Sequence, residues 1–211
     1  MKAYIVGGDT SLVNFLPELE ITDKLKEAKL VIFGDGPIVS PSLYQEKKAE
    51  IDLKCDINRD RSDKAIYTKL KSNQIAVGIS RGACFLAVMN GAKLVQYTYR
   101  KEVGCSYNIE FKKGEKKAVF SALSDWVQSI NLDPCNEETY NLLAVSKNSS
   151  DYIADNEIKR FMRANGDPEI IKFHNQKQPI SICIQFHPEW MPKSYLSSKI
   201  VKEIIYECAN S

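Results

Sequence analysis

The chain is poor in histidine and has no excess of charge of either sign. Only His174 and His187 occur among the 211 residues, so any chemistry that needs an imidazole must use one of them. The 29 basic and 27 acidic side chains leave a formal net charge of +2. Nucleic-acid-binding domains typically carry a strong basic patch, and juxtamembrane segments carry clusters of basic residues. We therefore expect neither a nucleic acid nor a membrane surface as a partner.

Long apolar runs and paired cysteines are missing as well. No run approaches the roughly 20 apolar residues that span a bilayer, and residues 1–8 are typical of a strand and turn rather than a secretory signal. The six cysteines show no Cys-x-x-Cys spacing, which favours free thiols in a reducing cytoplasm over a zinc site. The composition predicts one cytoplasmic domain over residues 1–211, with no metal and no cofactor.

Short apolar runs alternate with helix-like stretches along the chain. In the first half the pattern predicts strands over 3–6, 30–33 and 75–79, and helices over 22–28 and 83–90. In the second half it predicts strands over 118–123, 142–145, 170–173 and 180–186, and an amphipathic helix over 194–208. This alternation predicts an α/β three-layer sandwich with a mostly parallel central sheet. Sites in such folds form at the carboxyl ends of strands.

One pentapeptide between a predicted strand and a predicted helix matches the nucleophile-elbow pattern Gly-x-Ser-x-Gly. It runs from Gly78 to Gly82 with Ser80 at its centre. A sharp strand-to-helix turn exposes the serine, and the glycines remove Cβ atoms that would clash there. The helix N-terminus offers N–H groups to a developing oxyanion. The alternative interpretation is a turn that happens to contain serine.

Two other strand ends carry candidate chemistry. His187 and Glu189 are two residues apart on a predicted extended segment, so both side chains point the same way and Glu189 could orient the imidazole as a base. Alternatively, His187 is a structural residue beside Pro188. The loop over 34–37 follows another predicted strand and could present a backbone N–H to an oxyanion. Any tight turn would show the same loop pattern.

In this order and spacing, the three segments resemble the class I glutamine amidotransferase-like family, and most closely its γ-glutamyl hydrolase branch. The segment from Val39 to Tyr44 is similar to the branch's Val-x-Pro-x-x-Tyr, and Arg59-Asp60 is similar to its Arg-Asp pair. The family's Gln-Phe-His-Pro-Glu is present unaltered over 185–189. The resemblance covers about residues 28–190 and implies a flavodoxin-like fold.

The resemblance also implies roles for particular residues. The family hydrolyses a γ-glutamyl amide with a Cys-His-Glu triad, and its free domains usually deliver ammonia to a synthase partner. Carried over, Ser80 takes the nucleophile position, His187 is the base and Glu189 orients it. The backbone N–H groups of Gly36 and Arg81 would form the oxyanion hole. The implied substrate-binding positions are Cys84, Ser124, Asp125, Trp126 and Gln128.

Several of these positions depart from the family. The nucleophile is serine instead of cysteine, Cys84 replaces a glutamine, and Trp126 replaces a histidine. Asp35 stands where the oxyanion loop has its first glycine, and Ile38 stands where an aspartate is usual. The base and the carboxylate of the triad are therefore kept, while the substrate pocket has changed.

Three interpretations of Ser80 stay open: an engineered replacement of cysteine, a natural serine amidase, or an inactive relative that keeps the fold. The first functional hypothesis is hydrolysis of a γ-glutamyl or related amide, with a small-molecule substrate and either a separate synthase subunit or no partner. The alternative is a non-catalytic protein that binds a ligand or another protein. Small divergent relatives also occur in bacteriophages, which makes a phage origin a further hypothesis.

Overall fold

The computed structural model describes residues 1–7, 9–47, 54–96, 98–99, 106–123, 128–132, 138–146, 150–154, 157–161, 166–174 and 178–210. Its strands are β1 (Lys2–Val6), β2 (Glu20–Ile21), β3 (Leu30–Phe33), β4 (Ile75–Ile79), β5 (Lys93–Val95), β6 (Thr98–Tyr99), β7 (Ser106–Lys113), β8 (Lys116–Leu123), β9 (Ser129–Asn131), β10 (Tyr140–Ser146), β11 (Ser150–Ala154), β12 (Glu157–Phe161), β13 (Asp167–Phe173) and β14 (Ile180–Ile184). The helices are α1 (Ile57–Tyr67), α2 (Arg81–Met89) and α3 (Leu196–Asn210), with short 3₁₀ turns over Thr10–Val13, Pro41–Tyr44 and Pro188–Trp190.

A nine-stranded sheet runs through the described part of the chain in the order β2-β1-β3-β4-β14-β13-β10-β7-β8. The first five strands of this order are parallel to one another. From β14 onwards each pair is antiparallel. Smaller sheets join β12-β11-β6 and β5-β9. The predicted α/β class is confirmed, and the antiparallel extension adds what the sequence pattern did not indicate.

Helices cover both faces of the parallel strands and create the three predicted layers. Side chains of β3 alternate between the faces: Leu30 and Ile32 pack in the core beneath α3, while Val31 and Phe33 pack beneath α1 and α2. All four are fully buried, which explains why this strand is apolar without interruption. Burying each side chain contributes roughly 1.5–3 kcal/mol.

The C-terminal helix forms where its i+4 pattern predicts it. Buried residues along α3 include Ile200, Val201, Ile204 and Ile205, which form a single stripe against the sheet. No helix in the described ranges is both long enough and apolar enough to cross a membrane.

The predicted helix over residues 22–28 is wrong, because this segment is a turn between β2 and β3. The N–H of Glu27 donates to the Lys24 carbonyl at 2.9 Å, and the N–H of Lys29 donates to Lys2 of β1 at 3.0 Å. Only seven residues lie between the end of β2 and Lys29, which bonds to β1. A helix this short is not stable by itself, and docking to β1 ends it before a second turn forms.

Three neighbouring parallel strands bring the candidate segments to one edge of the sheet. Phe33 of β3 pairs with Gly78 of β4, and Ile79 of β4 pairs with Ile184 of β14. The loop after β3, the elbow after β4 and the segment after β14 therefore leave the sheet side by side. This is the edge where α/β folds place their sites.

Candidate active site

Ser80 occupies a strained turn between β4 and α2. Its φ of 53° and ψ of −113° lie where residues other than glycine rarely occur. The backbone around it is fully engaged: its N–H donates to Ile184 at 2.9 Å, and its carbonyl accepts from Ala83 at 3.0 Å. This is the geometry of a nucleophile elbow, in which the turn holds a side chain at the N-terminus of a helix.

The two glycines of the elbow are required by close backbone approach. A Cβ on Gly78 would lie 2.3 Å from the carbonyl oxygen of Gly82. A Cβ on Gly82 would lie 1.9 Å from the carbonyl oxygen of Phe33. Because these neighbours are backbone atoms, they cannot move aside as a flexible side chain would. The elbow and the loop after β3 therefore pack directly against each other.

His187 and Glu189 form a buried pair after β14. The imidazole Nδ1 lies 2.6 Å from Oε1 of Glu189, and the two side chains are 1% and 4% exposed. The backbone N–H of His187 donates to Leu123 at 2.9 Å, which ties the segment to the end of β8. Because Glu189 holds Nδ1, a base role for this ring would fall to Nε2. The predicted contact between these residues is present, although Pro188–Trp190 forms a 3₁₀ turn and not the predicted extended segment.

The ring of Trp190 stacks on the imidazole of His187. Their centroids are 3.5 Å apart and their planes differ by 3°. Trp190 is 46% exposed, so it shields one face of the buried imidazole from water while remaining at the surface. An aromatic face also stabilises an imidazolium through a cation–π interaction. Sequence reasoning missed this residue, although Trp190 directly follows the His-Pro-Glu motif.

The hydroxyl of Ser80 donates a hydrogen bond to Asp35. The Oγ–Oδ1 distance is 2.9 Å, and Ser80 is 3% exposed, whereas Asp35 is at the surface. Asp35 is the second residue of the loop after β3, directly before Gly36. The sequence marked Asp35 only as a departure from a glycine, and its contact with the candidate nucleophile is a finding of the structure.

The side chain of Arg81 fastens the elbow to its surroundings. Its Nη2 lies 2.6 Å from Asp60 of α1, its Nη1 pairs with Asp63, and its Nε donates to the carbonyl of Pro37 at 3.0 Å. Asp60 also accepts the backbone N–H of Ser40 at 2.9 Å. Arg81 and both carboxylates are buried. This network fixes the candidate oxyanion loop relative to α2.

Arg59 extends this network of arginine and aspartate side chains. Its Nε lies 2.8 Å from Asp63, and its Nη2 donates to the carbonyl of Val6 at 3.4 Å. A Cβ placed on Gly36 would lie 3.7 Å from Cδ of Arg81 and 3.9 Å from Nη1 of Arg59. Gly36 and Arg81, the two predicted oxyanion-hole residues, therefore lie on facing segments.

Two of the predicted substrate-binding residues are described, and both are buried. Gln128 bridges the loop: its Oε1 accepts the N–H of Val39 at 2.9 Å, and its Nε2 donates to the Val39 carbonyl at 2.8 Å. The thiol of Cys84 lies 3.8 Å from Oε1 of Gln185. Ser124, Asp125 and Trp126 lie outside the described residues.

Cys84 is the cysteine nearest to the elbow in sequence, one helical turn beyond Ser80. Burial raises the pKa of its thiol to about 12, against a smaller opposing effect of Arg81. Burial likewise raises the pKa of Cys183 well above its usual range. Neither thiol supplies a thiolate at neutral pH. Within the described ranges, no group of three His, Cys, Asp or Glu side chains is placed to hold a metal ion.

Solved structures of similar fold include a glutamine amidotransferase. A putative GMP synthase component from Thermoplasma acidophilum is 18% identical with a TM-score of 0.63, covering 100% of this chain and 94% of that one. A glutamine amidotransferase from Thermotoga maritima is 12% identical with a TM-score of 0.62, covering 100% and 99%. PurLQS from Thermotoga maritima is 13% identical with a TM-score of 0.53, covering 98% of each chain. At these identities the likeness establishes the fold, which is that of the class I glutamine amidotransferases.

No curated protein sequence matches the chain. The family model described as Peptidase C26, however, matches residues 7–189. This range contains the loop after β3, the elbow and the complete His-Pro-Glu motif. The chain therefore belongs to the peptidase C26 family.

Proposed function

We propose that the protein hydrolyses a small-molecule amide through a triad of Ser80, His187 and Glu189. The observation that carries the proposal is the strained elbow serine at the end of β4, on the same sheet edge as the buried His187–Glu189 pair. A hydroxyl nucleophile needs a base, and the base needs a carboxylate to hold its ring. Membership of the peptidase C26 family supports the same class of chemistry.

In the proposed reaction, Oγ of Ser80 attacks the amide carbonyl carbon while its proton passes to Nε2 of His187. Glu189, bound to Nδ1, stabilises the imidazolium that forms. The backbone N–H groups of Gly36 and Arg81 donate to the oxyanion. Collapse of the tetrahedral intermediate breaks the C–N bond, and the leaving amine takes the proton from His187. Water then hydrolyses the ester on Ser80 with the same base.

The proposed substrate is a γ-glutamyl or related amide, and the resemblance to the γ-glutamyl hydrolase branch supports this choice. Gln128 would act by positioning, because both of its polar atoms are bonded to Val39 of the loop. Cys84 would shape the pocket wall without a charge. Ser124, Asp125 and Trp126 are proposed to contact the substrate.

Delivery of ammonia to a separate synthase subunit is a further part of the proposal. Two of the similar structures are PurLQS and a putative component of GMP synthase. The alternative within the same chemistry is simple hydrolysis, with the amine released into solvent.

A second candidate function is ligand binding without turnover. Its supporting observation is the bond from Ser80 to Asp35, because a carboxylate beside the oxyanion site opposes the charge that develops during attack. A serine in this position is also a weaker nucleophile than a cysteine with thiolate character.

The test measures release of ammonia and glutamate from glutamine and γ-glutamyl amides by the native protein and by Ser80→Ala. We expect turnover by the native protein that falls by at least 100-fold in Ser80→Ala, since the covalent step is lost. The matched control is Ser72→Ala, which removes an exposed hydroxyl just before the amino end of β4, at the opposite end of this strand from Ser80, and should leave turnover unchanged.

Equal turnover by the native protein and Ser80→Ala would reject the hydrolase proposal. If calorimetry then shows that a γ-glutamyl amide binds to both proteins, the ligand-binding candidate is supported instead.

A further inference from the structure

We propose that Asp35 is a positioning residue that keeps the nucleophile at position 80 neutral, and that it makes this site suited to serine rather than cysteine. The inference rests on the proposed role of Ser80 as the nucleophile. Its basis is the hydrogen bond from the Ser80 hydroxyl to Oδ1 of Asp35 at 2.9 Å. A neutral hydroxyl can donate this bond, whereas a thiolate cannot.

The fold places Asp35 beside position 80. Phe33 pairs with Gly78 in parallel register, so the second residue beyond each strand partner gives Asp35 and Ser80. Direct backbone packing of Gly82 against Phe33 keeps the two segments together. The contact therefore follows from the sheet and does not depend on a chance rotamer of a long side chain.

The nearby cations are committed to other carboxylates. Arg81 bonds to Asp60, Asp63 and the loop carbonyl, and Arg59 bonds to Asp63. Within the described part of the chain, Asp35 forms no ion pair with either arginine. The negative charge of Asp35 is thus available to act on position 80.

The charge of Asp35 also influences the pKa of a native thiol. After burial, which is the main cause, the carboxylate of Asp35 adds to the rise in the pKa of Cys84, while Arg81 lowers it. The side chain at position 80 lies closer to Asp35 than Cys84 does, because it is in direct contact with the carboxylate. Among the described residues, the segment after β14 adds two more titratable groups at this sheet edge, His187 and Glu189.

A cysteine nucleophile works as a thiolate, usually paired with an imidazolium. Beside Asp35 the thiolate would face a like charge, which disfavours ionisation, so the thiolate fraction at neutral pH falls. A serine avoids this cost because it stays protonated until substrate is attacked. Asp35 and Ser80 therefore form a compatible pair in place of glycine and cysteine.

The test introduces a thiol by Ser80→Cys, alone and combined with Asp35→Asn or Asp35→Gly. Iodoacetamide alkylation of position 80 is followed between pH 5.5 and 9.5 by peptide mass spectrometry, which separates this site from the native cysteines. We expect alkylation at pH 7 to be about tenfold faster in both double variants than in Ser80→Cys alone, with a thiol pKa about one unit lower.

The charge control combines Ser80→Cys with Asp23→Asn, which removes an exposed carboxylate between β2 and β3. This variant should react like Ser80→Cys alone. Circular dichroism checks that each variant is folded. If the double variant with Asp35→Asn is not folded, the double variant with Asp35→Gly is used for the comparison. Alkylation needs no turnover, so it remains informative if amide hydrolysis is absent. Alkylation rates within twofold of each other in Ser80→Cys and both Asp35 double variants would overturn the inference.

Discussion

The substitution Gly82→Ala tests whether the elbow depends on direct backbone contact with the loop after β3. The added Cβ would lie 1.9 Å from the carbonyl oxygen and 2.6 Å from the carbonyl carbon of Phe33. Ordinary van der Waals contact requires the two segments to separate by roughly 1.5 Å. Overpacking usually costs about 1–3 kcal/mol, and the upper end applies here because only backbone atoms can yield.

We therefore expect Gly82→Ala to lower the free energy of unfolding by about 3 kcal/mol in urea denaturation. A displacement near 1 Å at a reacting group costs roughly 100-fold in rate, so the proposed amide turnover should fall by at least that factor. The matched control is Gly114→Ala in the β7–β8 hairpin. Its φ is 57°, and its Cβ would meet no atom within 4 Å, so only backbone strain of about 1 kcal/mol applies.

The comparison isolates the contact from the general effect of replacing a glycine. If Gly82→Ala loses no more stability than Gly114→Ala, the packing argument for the elbow is wrong. If Gly82→Ala is destabilised as expected but turnover is unchanged, the loop after β3 does not contribute to the reaction.

Two further predictions concern the groups that hold the site together. Arg81→Met leaves Asp60 buried without its cation, while Asp63 keeps its ion pair with Arg59. We therefore expect a loss of about 3–5 kcal/mol in the free energy of unfolding, with Arg81→Lys losing less, and unchanged denaturation by urea would contradict this. Glu189→Gln keeps the shape of the bond to His187 but removes the charge that stabilises the imidazolium, so kcat should fall by roughly 10²- to 10⁴-fold with little change in KM. Steady-state kinetics would refute the triad if kcat for Glu189→Gln equalled that of the native protein.

The parallel half of the fold could be predicted because its strands are buried on both faces. Strands over 30–33 and 75–79 match β3 and β4, since both consist of apolar residues without a break. The turn over 22–28 could not be distinguished from a helix by local pattern, because its docking to β1 is a contact between distant residues. Strand β7 was also missed, since five of its eight residues are polar or charged and its pairing with β8 is a tertiary feature.

Sequence motifs predicted individual residues of the candidate site, but they did not predict the contacts between residues of different segments. The predicted His187–Glu189 contact is present, but a 3₁₀ turn over Pro188–Trp190 makes it, and not the extended segment from which it was predicted. The bond from Ser80 to Asp35 joins two loops. The parallel pairing of β3 and β4 places these loops side by side, so the contact follows from the strand register. Gln128 has both polar atoms on Val39, which the motif alone did not indicate.

If Ser80 is the nucleophile, its hydroxyl becomes covalently acylated during amide hydrolysis. Acylation is detected most directly by incubating the protein with an activated γ-glutamyl amide such as the p-nitroanilide, quenching in acid and sequencing the modified peptide by mass spectrometry. We predict a γ-glutamyl ester on Ser80 that is absent in Ser80→Ala and that forms more slowly in Glu189→Gln, because the same base serves its formation. Release of p-nitroaniline by the native protein without any adduct on Ser80, or at the same rate by Ser80→Ala, would contradict the proposed role of Ser80.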